Sequence, residues 1–231
     1  MERIAERHIT HKKTQCTTVA QSWRNLVWIF AIMSVLGLLG ETLQHWIAFG
    51  VVESRAGLVW GPFSPIYGLA AVLLSVFLEP FSDRPYWFLF FIAAVVGGSV
   101  EYFASWAMET FWGVVAWSYL DLPFNFDGRT DVFHCAVWGT LGLLWVKVGL
   151  PLCDKVFSHI KTQNRPYKIC TLILSVYLAV DIAVTITALL RADERTHGEP
   201  PRNAVEEYYD HQFTNEFLSS RFENMGGLGE I

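Results

Sequence analysis

Residues 87–113, WFLFFIAAVVGGSVEYFASWAMETFWG, decide the fold of this chain. The stretch is apolar and long enough to cross a lipid bilayer as one helix, which needs about 20 residues. It nevertheless contains Glu101 and, near its end, Glu109, and Glu41 lies inside another apolar stretch. A carboxylate at such a depth is costly unless it is paired, protonated or faces a polar cavity. The three glutamates therefore indicate a working membrane protein rather than a passive anchor.

The composition places the whole chain in the membrane class. Of its 231 residues 52% are hydrophobic and only 17% are charged, whereas a soluble domain has about 25% charged residues. We predict an all-α fold, a polytopic transmembrane helical bundle of about five spans. The second span is the weakest, because Pro62 and Pro65 interrupt its start. The five predicted spans are residues 26–49, 59–78, 87–108, 132–150 and 169–190.

The distribution of lysine and arginine predicts the orientation and the domains. Five basic residues lie between positions 3 and 24, and five more lie between positions 147 and 168. By the positive-inside rule, these regions are cytoplasmic. We therefore expect a multi-pass protein of the cell membrane with its N-terminus in the cytoplasm and its C-terminus outside. Residues 1–23 form a basic arm, residues 24–190 the transmembrane domain, and residues 191–231 an acidic tail.

The tail contains a predicted amphipathic helix over residues 204–222. Its apolar residues Val205, Tyr209, Phe213 and Phe217 recur at a spacing of four. Three interpretations stay open at this point. The helix lies on the membrane surface, docks on a partner, or is a solvated helix without a function.

Several classes of function are excluded or unsupported. The four cysteines form no C-x-x-C pair, so the sequence predicts no zinc or redox site. We expect no metal and no cofactor, and the absence of a basic patch gives no indication of nucleic-acid binding. No phosphate-binding Gly-Lys-Ser/Thr loop and no soluble-hydrolase motif is present. An ATPase that drives this protein would therefore be a separate chain.

Polar residues follow one face of each of two predicted helices. Glu101, Ser105 and Glu109 are spaced by four, as are Glu41 and His45. Two polar stripes on apolar helices most simply face each other. The space between them would bind a cation, protons or a polar substrate. The alternative is a buried hydrogen-bonded pair that only fixes helix packing.

Residues 60–68 do not have the sequence pattern of an ordinary helix. In residues 60–68, WGPFSPIYG, two prolines remove backbone donors, and the segment contributes Tyr67 to the candidate site. It lines a polar cavity, or it is an outer turn before a short helix.

A motif Gly-x-x-x-Glu followed by a Pro-Phe pair occurs twice, which suggests two related helical hairpins. The glycines and glutamates of the repeat are Gly37, Glu41, Gly97 and Glu101.

Residues 117–131, WSYLDLPFNFDGRTD, form an aromatic loop that returns to the membrane. Arg129 is the predicted counter-charge of the intramembrane glutamates, and it could also bind a phosphate or carboxylate. Asn125 and His134 complete the candidate site. Asp181 lies midway along the last span without an evident partner.

Several motifs together resemble one family. The order is Gly37-x-x-x-Glu41, Arg55, GPFSPIYG at 61–68, EYFASWAMETFWG at 101–113, PFNFDGR at 123–129 and Trp138-Gly139. This order resembles the bacterial membrane proteins called putative ABC-transporter permeases, type IV, over residues 36–144. The resemblance implies a transport permease and carries over no catalytic residue. Where the family has a Trp-Asp-Tyr-Ser-like stretch, this chain has WSYL at residues 117–120.

Three hypotheses follow from the sequence. The first is a permease, or permease-like subunit, whose glutamates bind a cation or protons. The second is a membrane enzyme that acts on a lipid or lipid-linked substrate, with His45, Glu101, Glu109, Arg129 and His134 as its polar groups. The third is a non-catalytic assembly subunit that uses the tail helix. Five spans are few for a complete transporter, so we also expect a homodimer.

Overall fold

A computed structural model describes residues 22–113, 115–160 and 162–223. Within them the fold is an all-α bundle, as predicted, with one two-stranded antiparallel ribbon. The basic arm lies almost entirely outside the described residues. The helices are α1 (Trp23–Phe49), α2 (Pro65–Leu78), α3 (Tyr86–Trp112), α4 (Val132–Leu144), α5 (Leu150–His159), α6 (Arg165–Thr196), α7 (Ala204–Gln212) and α8 (Asn215–Arg221). The ribbon pairs β1 (Asn125–Phe126) with β2 (Thr130–Asp131).

Four helical stretches are long and apolar enough to span a membrane. They are α1, α3, α6 and the continuous helix Val132–His159, in which a π-helical turn over Trp145–Gly149 joins α4 to α5. The second predicted span is different. Its apolar helix covers only Pro65–Phe81, including a final 3₁₀ turn, and residues 59–64 are not helical as the predicted span required. Proline at positions 62 and 65 explains the late helix start.

The second crossing is completed by extended chain. The amide of Ser64 donates to the carbonyl of Ser34, which lies eleven residues after Trp23, the first residue of α1. At 1.5 Å per residue, α2 thus begins about 22 Å below the end of α1, and residues 50–64 return through the bundle to that depth. The same happens between α3 and α4, because Thr130 reaches Glu101 well inside α3. Both hairpins therefore contain a non-helical returning segment.

The two hairpins α1–α2 and α3–α4 pack in the same register. Gly37 lies under the ring of Tyr67, and Gly97 lies under the ring of Trp138. The next residue of each second helix is a glycine: Gly68 faces the carbonyl of Phe30, and Gly139 faces that of Phe90. Each of these phenylalanines lies seven residues before the glycine of its Gly-x-x-x-Glu motif. The structure thus contains the repeat that the two short motifs suggested.

The helices share two ends. At one end, Leu78, Leu89 and Leu150 pack together, and the indole of Trp28 donates to Thr171 at the start of α6. At the other end lie the last turns of α1, α3 and α6, the two returning segments and the tail. We call these the basic end and the tail end, because Arg24, Arg84 and Lys155 lie at or near the first.

The tail packs on its own bundle. Its predicted single helix over residues 204–222 is wrong, because the chain breaks at Phe213, and the hydroxyl of Thr214 caps the new helix α8. Phe213, Leu218 and Phe222 are buried against Leu189 of α6. Of the predicted apolar face, Phe213 and Tyr209 pack on the bundle, whereas Val205 is 63% exposed and Phe217 is 37% exposed.

Arginines at the end of α6 hold the tail. The helix continues to Thr196, past the predicted boundary at residue 190. Arg191, whose side chain is 2% exposed, donates to both oxygens of Asp210 at 2.8 and 2.9 Å, and Arg195 donates to the same carboxylate at 2.8 Å. The hydrogen bonds from Arg191 lower the pKa of Asp210 below its ordinary value.

Gly68→Ala should lower the stability of the bundle. An added Cβ would lie 2.6 Å from the carbonyl oxygen of Phe30, so α1 and α2 would have to separate. We expect a loss of about 1–2 kcal/mol, the cost of overpacking less the gain in helix propensity. Thermal unfolding in detergent measures it. Gly40→Ala is the matched control, because nothing lies within 4 Å of that Cβ; equal unfolding temperatures for the two variants would contradict the packing.

Asp210→Asn should release the tail at neutral pH. The substitution leaves the buried charge of Arg191 with Glu194 as its acidic partner and costs about 3 kcal/mol of docking free energy. Since the pKa of Asp210 is lowered, its contribution in the native protein is present above the unfolded-state pKa of about 4 and is lost only as pH falls below that value.

Limited proteolysis between α6 and α7 measures this release. Glu207→Gln, on the exposed side of α7, should cut at the native rate. A rate for Asp210→Asn that matches this control would show that the ion pairs do not hold the tail.

Candidate functional site

A cavity of about 490 Å³ lies between the two hairpins and α6. Its walls come from α1, the start of α2, α3, α4, α6 and both returning segments. Most of the lining is apolar. The charged side chains that line it are Glu41, Arg55 and Glu101, and four aromatic residues, Tyr67, Trp117, Tyr119 and Trp138, surround them. Two of the three predicted intramembrane glutamates thus face one shared space.

Glu101 is the more deeply buried carboxylate, with 6% of the residue exposed. One oxygen accepts from the hydroxyl of Tyr119 at 3.0 Å and the other from Thr130 at 2.7 Å. Both donors belong to the second returning segment. No arginine or lysine among the described residues lies within ion-pair distance of this carboxylate. Neutral donors, these two hydroxyl groups and the indole of Trp138, therefore surround this carboxylate.

Glu41 has a different environment. It accepts from the hydroxyl of Tyr67 at 2.9 Å, and Nη1 of Arg55 lies 3.8 Å from its other oxygen. Arg55 also donates to Glu53 at 3.1 Å, and Glu53 lies 3.5 Å from His45. His45 therefore joins a network at the outer edge of the site and does not line the cavity.

The other stripe residues lie away from the cavity. Arg129 pairs with Glu109 at 2.5 Å and reaches the hydroxyl of Ser105 at 3.4 Å. Arg129 and the α3 residues Ser105 and Glu109 form a separate polar cluster that does not line the cavity. Arg129 is thus the counter-charge of Glu109 rather than of Glu41 or Glu101.

The remaining predicted site residues organise the second returning segment. Asn125 donates to the carbonyls of Leu120 and Leu122 and accepts from the amide of Gly128, whose φ of +67° suits glycine. His134 pairs with Asp131, the N-cap of α4. The ring of His134 stacks on Tyr119 at a centroid distance of 4.2 Å. Both residues therefore position Tyr119, which binds Glu101.

The first returning segment is held from two sides. On α6, Asp181 accepts from the amide of Trp60 at 3.1 Å, and Thr185 accepts from the amide of Val59 at 3.0 Å. From the tail, Arg221 donates to the carbonyls of Leu58 and Gly61. Asp181, which had no evident partner in the sequence, thus anchors non-helical backbone at membrane depth, where free amides are costly.

Sequence reasoning missed Arg55, Tyr119 and Thr130 as members of the site. Tyr119 and Thr130 lie in the loop that was predicted to return to the membrane, and Arg55 follows the first span. Helical spacing could not find them, because they reach the glutamates through extended backbone. The only available signal was a cation near each Gly-x-x-x-Glu motif.

Fold and site define the class: a multi-pass membrane protein with a carboxylate-lined cavity among its helices. A family model described as putative ABC-transporter type IV matches residues 28–186. The chain belongs to this family, as the sequence motifs indicated, and is a membrane protein of the transport-related class. No curated protein matches the chain. No solved structure matches it either.

Arg221→Gln should loosen the first returning segment. The variant removes the donors to Leu58 and Gly61 while the anchors on α6 remain. We expect amide hydrogen exchange in residues 51–61 to become about tenfold faster, since a lost restraint of about 1.4 kcal/mol changes local opening by that factor. Arg202→Gln is the control, because Arg202 is exposed and pairs with Glu194 and Glu199. Unchanged exchange in Arg221→Gln would contradict a role of the tail in holding this segment.

Proposed function

We propose that the protein is a permease, or the membrane subunit of one, and that its substrate or coupling ion binds in the cavity at Glu41, Arg55 and Glu101. The observation that carries the proposal is the convergence of two carboxylates from equivalent helices, the buried Glu101 and the half-buried Glu41, on one space of about 490 Å³. Glutamates that only fixed the packing of two helices would not require a cavity of this volume between them. The cavity falls in the range of pockets that bind small molecules.

The architecture around the cavity supports the same proposal. Many transporters are built from structural repeats, and their sites lie at the repeat interface beside interrupted helices. Here the hairpins α1–α2 and α3–α4 form the repeat, and each contributes a glutamate and a non-helical returning segment. Such backbone at membrane depth is tolerated where it lines a cavity.

The geometry supports the two alternative functions less well than it supports the permease. A lipid-modifying enzyme would need His45, Glu109, Arg129 and His134 beside Glu101, but only Glu101 lines the cavity. An assembly subunit would use the tail as a docking element, but Phe213, Leu218 and Phe222 of the tail pack on α6 of the same chain. We therefore carry the permease forward.

Orientation and energy source belong to the same proposal. The basic end is cytoplasmic because it lies beside the lysine- and arginine-rich segments, and the tail is outside. A separate ATPase chain supplies ATP hydrolysis, in keeping with the description of the family. The functional unit contains two copies of the chain, since five crossings are few for one transporter.

Solute flux in proteoliposomes tests the proposed function. Purified protein, with any ATPase that co-purifies, is assayed with a panel of labelled cationic, neutral and anionic solutes. We expect protein-dependent flux of at least one class and a loss of at least tenfold in Glu101→Gln. Glu109→Gln is the matched control, because this carboxylate lies on the same helix outside the cavity.

Two results of the flux assay would contradict the proposal. Flux that is equal in Glu101→Gln and native protein would remove the cavity from the mechanism. A loss of similar size in Glu101→Gln and Glu109→Gln would show that α3 is only structurally sensitive. Size-exclusion profiles establish that both variants remain folded.

A further inference from the structure

The two halves of the cavity hold equivalent carboxylates with different partners. Glu41 and Glu101 each lie four residues after a glycine that contacts an aromatic ring of the following helix. In the first half, Arg55 places a guanidinium 3.8 Å from Glu41. In the second half, Glu101 accepts hydrogen bonds from the hydroxyl groups of Tyr119 and Thr130. No lysine or arginine of the described ranges lies within ion-pair distance of Glu101, so the two equivalent carboxylates differ in their charged partners.

The basic side chains near the second half already have acidic partners. Arg129 pairs with Glu109 at 2.5 Å, and His134 is hydrogen-bonded to Asp131. Arg55 is shared between Glu53 and Glu41. Among the charged side chains that line the cavity, two carboxylates face one guanidinium. The excess of carboxylates over guanidinium groups in this lining favours a positively charged group at Glu101.

The rest of the cavity favours an organic body on that charge. The rings of Tyr67, Trp117, Tyr119 and Trp138 line it, and Tyr67 packs on Trp138 with ring centroids 5.9 Å apart. Aromatic faces attract ammonium and guanidinium groups through their quadrupole. Apolar side chains of α3 and α6, among them Met108 and Ile186, form the remaining wall. These surfaces suit a solute that is larger and less polar than an inorganic ion.

We propose that the cavity binds an amphipathic organic cation, with its ammonium or guanidinium group at Glu101 and its apolar part among the aromatic rings. This inference rests on the proposed function, because it names the class of solute for the same site. A Ca²⁺ or Mg²⁺ ion fits less well, since it takes six or more oxygen ligands. Within the described ranges no group of three or more His, Cys, Asp or Glu side chains could hold one. An anion would meet an excess of carboxylates.

Three isosteric probes test the charge preference directly. Benzylguanidine is cationic at pH 7, benzylurea is its neutral analogue, and phenylacetate is an anion of similar size. Binding to the purified full chain in detergent is followed by tryptophan fluorescence, since Trp117 and Trp138 line the cavity, and by equilibrium dialysis. We expect benzylguanidine to bind at least tenfold more tightly than benzylurea, and phenylacetate to bind most weakly.

The same preference should depend on Glu101. In Glu101→Gln the ratio of the benzylurea Kd to the benzylguanidine Kd should fall to about twofold or less, because the attracting charge is gone while the shape is kept. Glu109→Gln should keep the native ratio.

The outcomes separate this inference from the proposed function. Equal or tighter binding of benzylurea or phenylacetate, binding of none of the three probes, or a preference that survives in Glu101→Gln would each overturn the organic-cation assignment. Glu101-dependent flux of a neutral or anionic solute would reject the class while leaving the permease in place. Absence of any protein-dependent flux would reject the permease itself.

Discussion

The hydrogen bonding of one buried carboxylate sets the architecture of this protein. Glu101 lies well inside a helix that spans the membrane, where an unpaired charge costs several kcal/mol. Its hydroxyl donors do not come from a neighbouring helix, although the indole of Trp138 on α4 also interacts with it. Instead, the hydroxyls of Tyr119 and Thr130 reach it because residues 115–131 turn back into the bundle. The carboxylate and the returning segment therefore require each other, and the cavity is the space that they leave.

The same solution occurs twice, and the rest of the chain stabilises it. Residues 50–64 return beside Glu41 as residues 115–131 return beside Glu101. Extended backbone at this depth needs partners for its amides and carbonyls. Helix α6 supplies acceptors through Asp181 and Thr185, and the tail supplies a donor through Arg221. The tail, which lies outside the match to the family model, thus binds the carbonyl of Leu58, a residue of the cavity wall.

Part of this arrangement could be predicted from sequence. Hydropathy and length gave the all-α multi-pass fold, and the spacing of four gave two stripes that place Glu41 and Glu101 towards each other. Helical periodicity carries no information about how deeply a loop returns, so Arg55, Tyr119 and Thr130 were missed. Helical periodicity also does not predict that Arg129 pairs with Glu109 instead of with Glu101. Glu109 lies four residues beyond Ser105. The break at Phe213 was missed for a similar reason, because burial of that ring against α6 outweighs the continuous helical pattern.

The most direct test of this account is a density map of the protein in lipid nanodiscs at a resolution that defines side chains. The account predicts that residues 115–131 enter the bundle, that the hydroxyls of Tyr119 and Thr130 contact Glu101, and that Glu41 faces the same cavity. A map in which this segment lies along the membrane surface, with Glu41 and Glu101 on separate sides of the bundle, would contradict it.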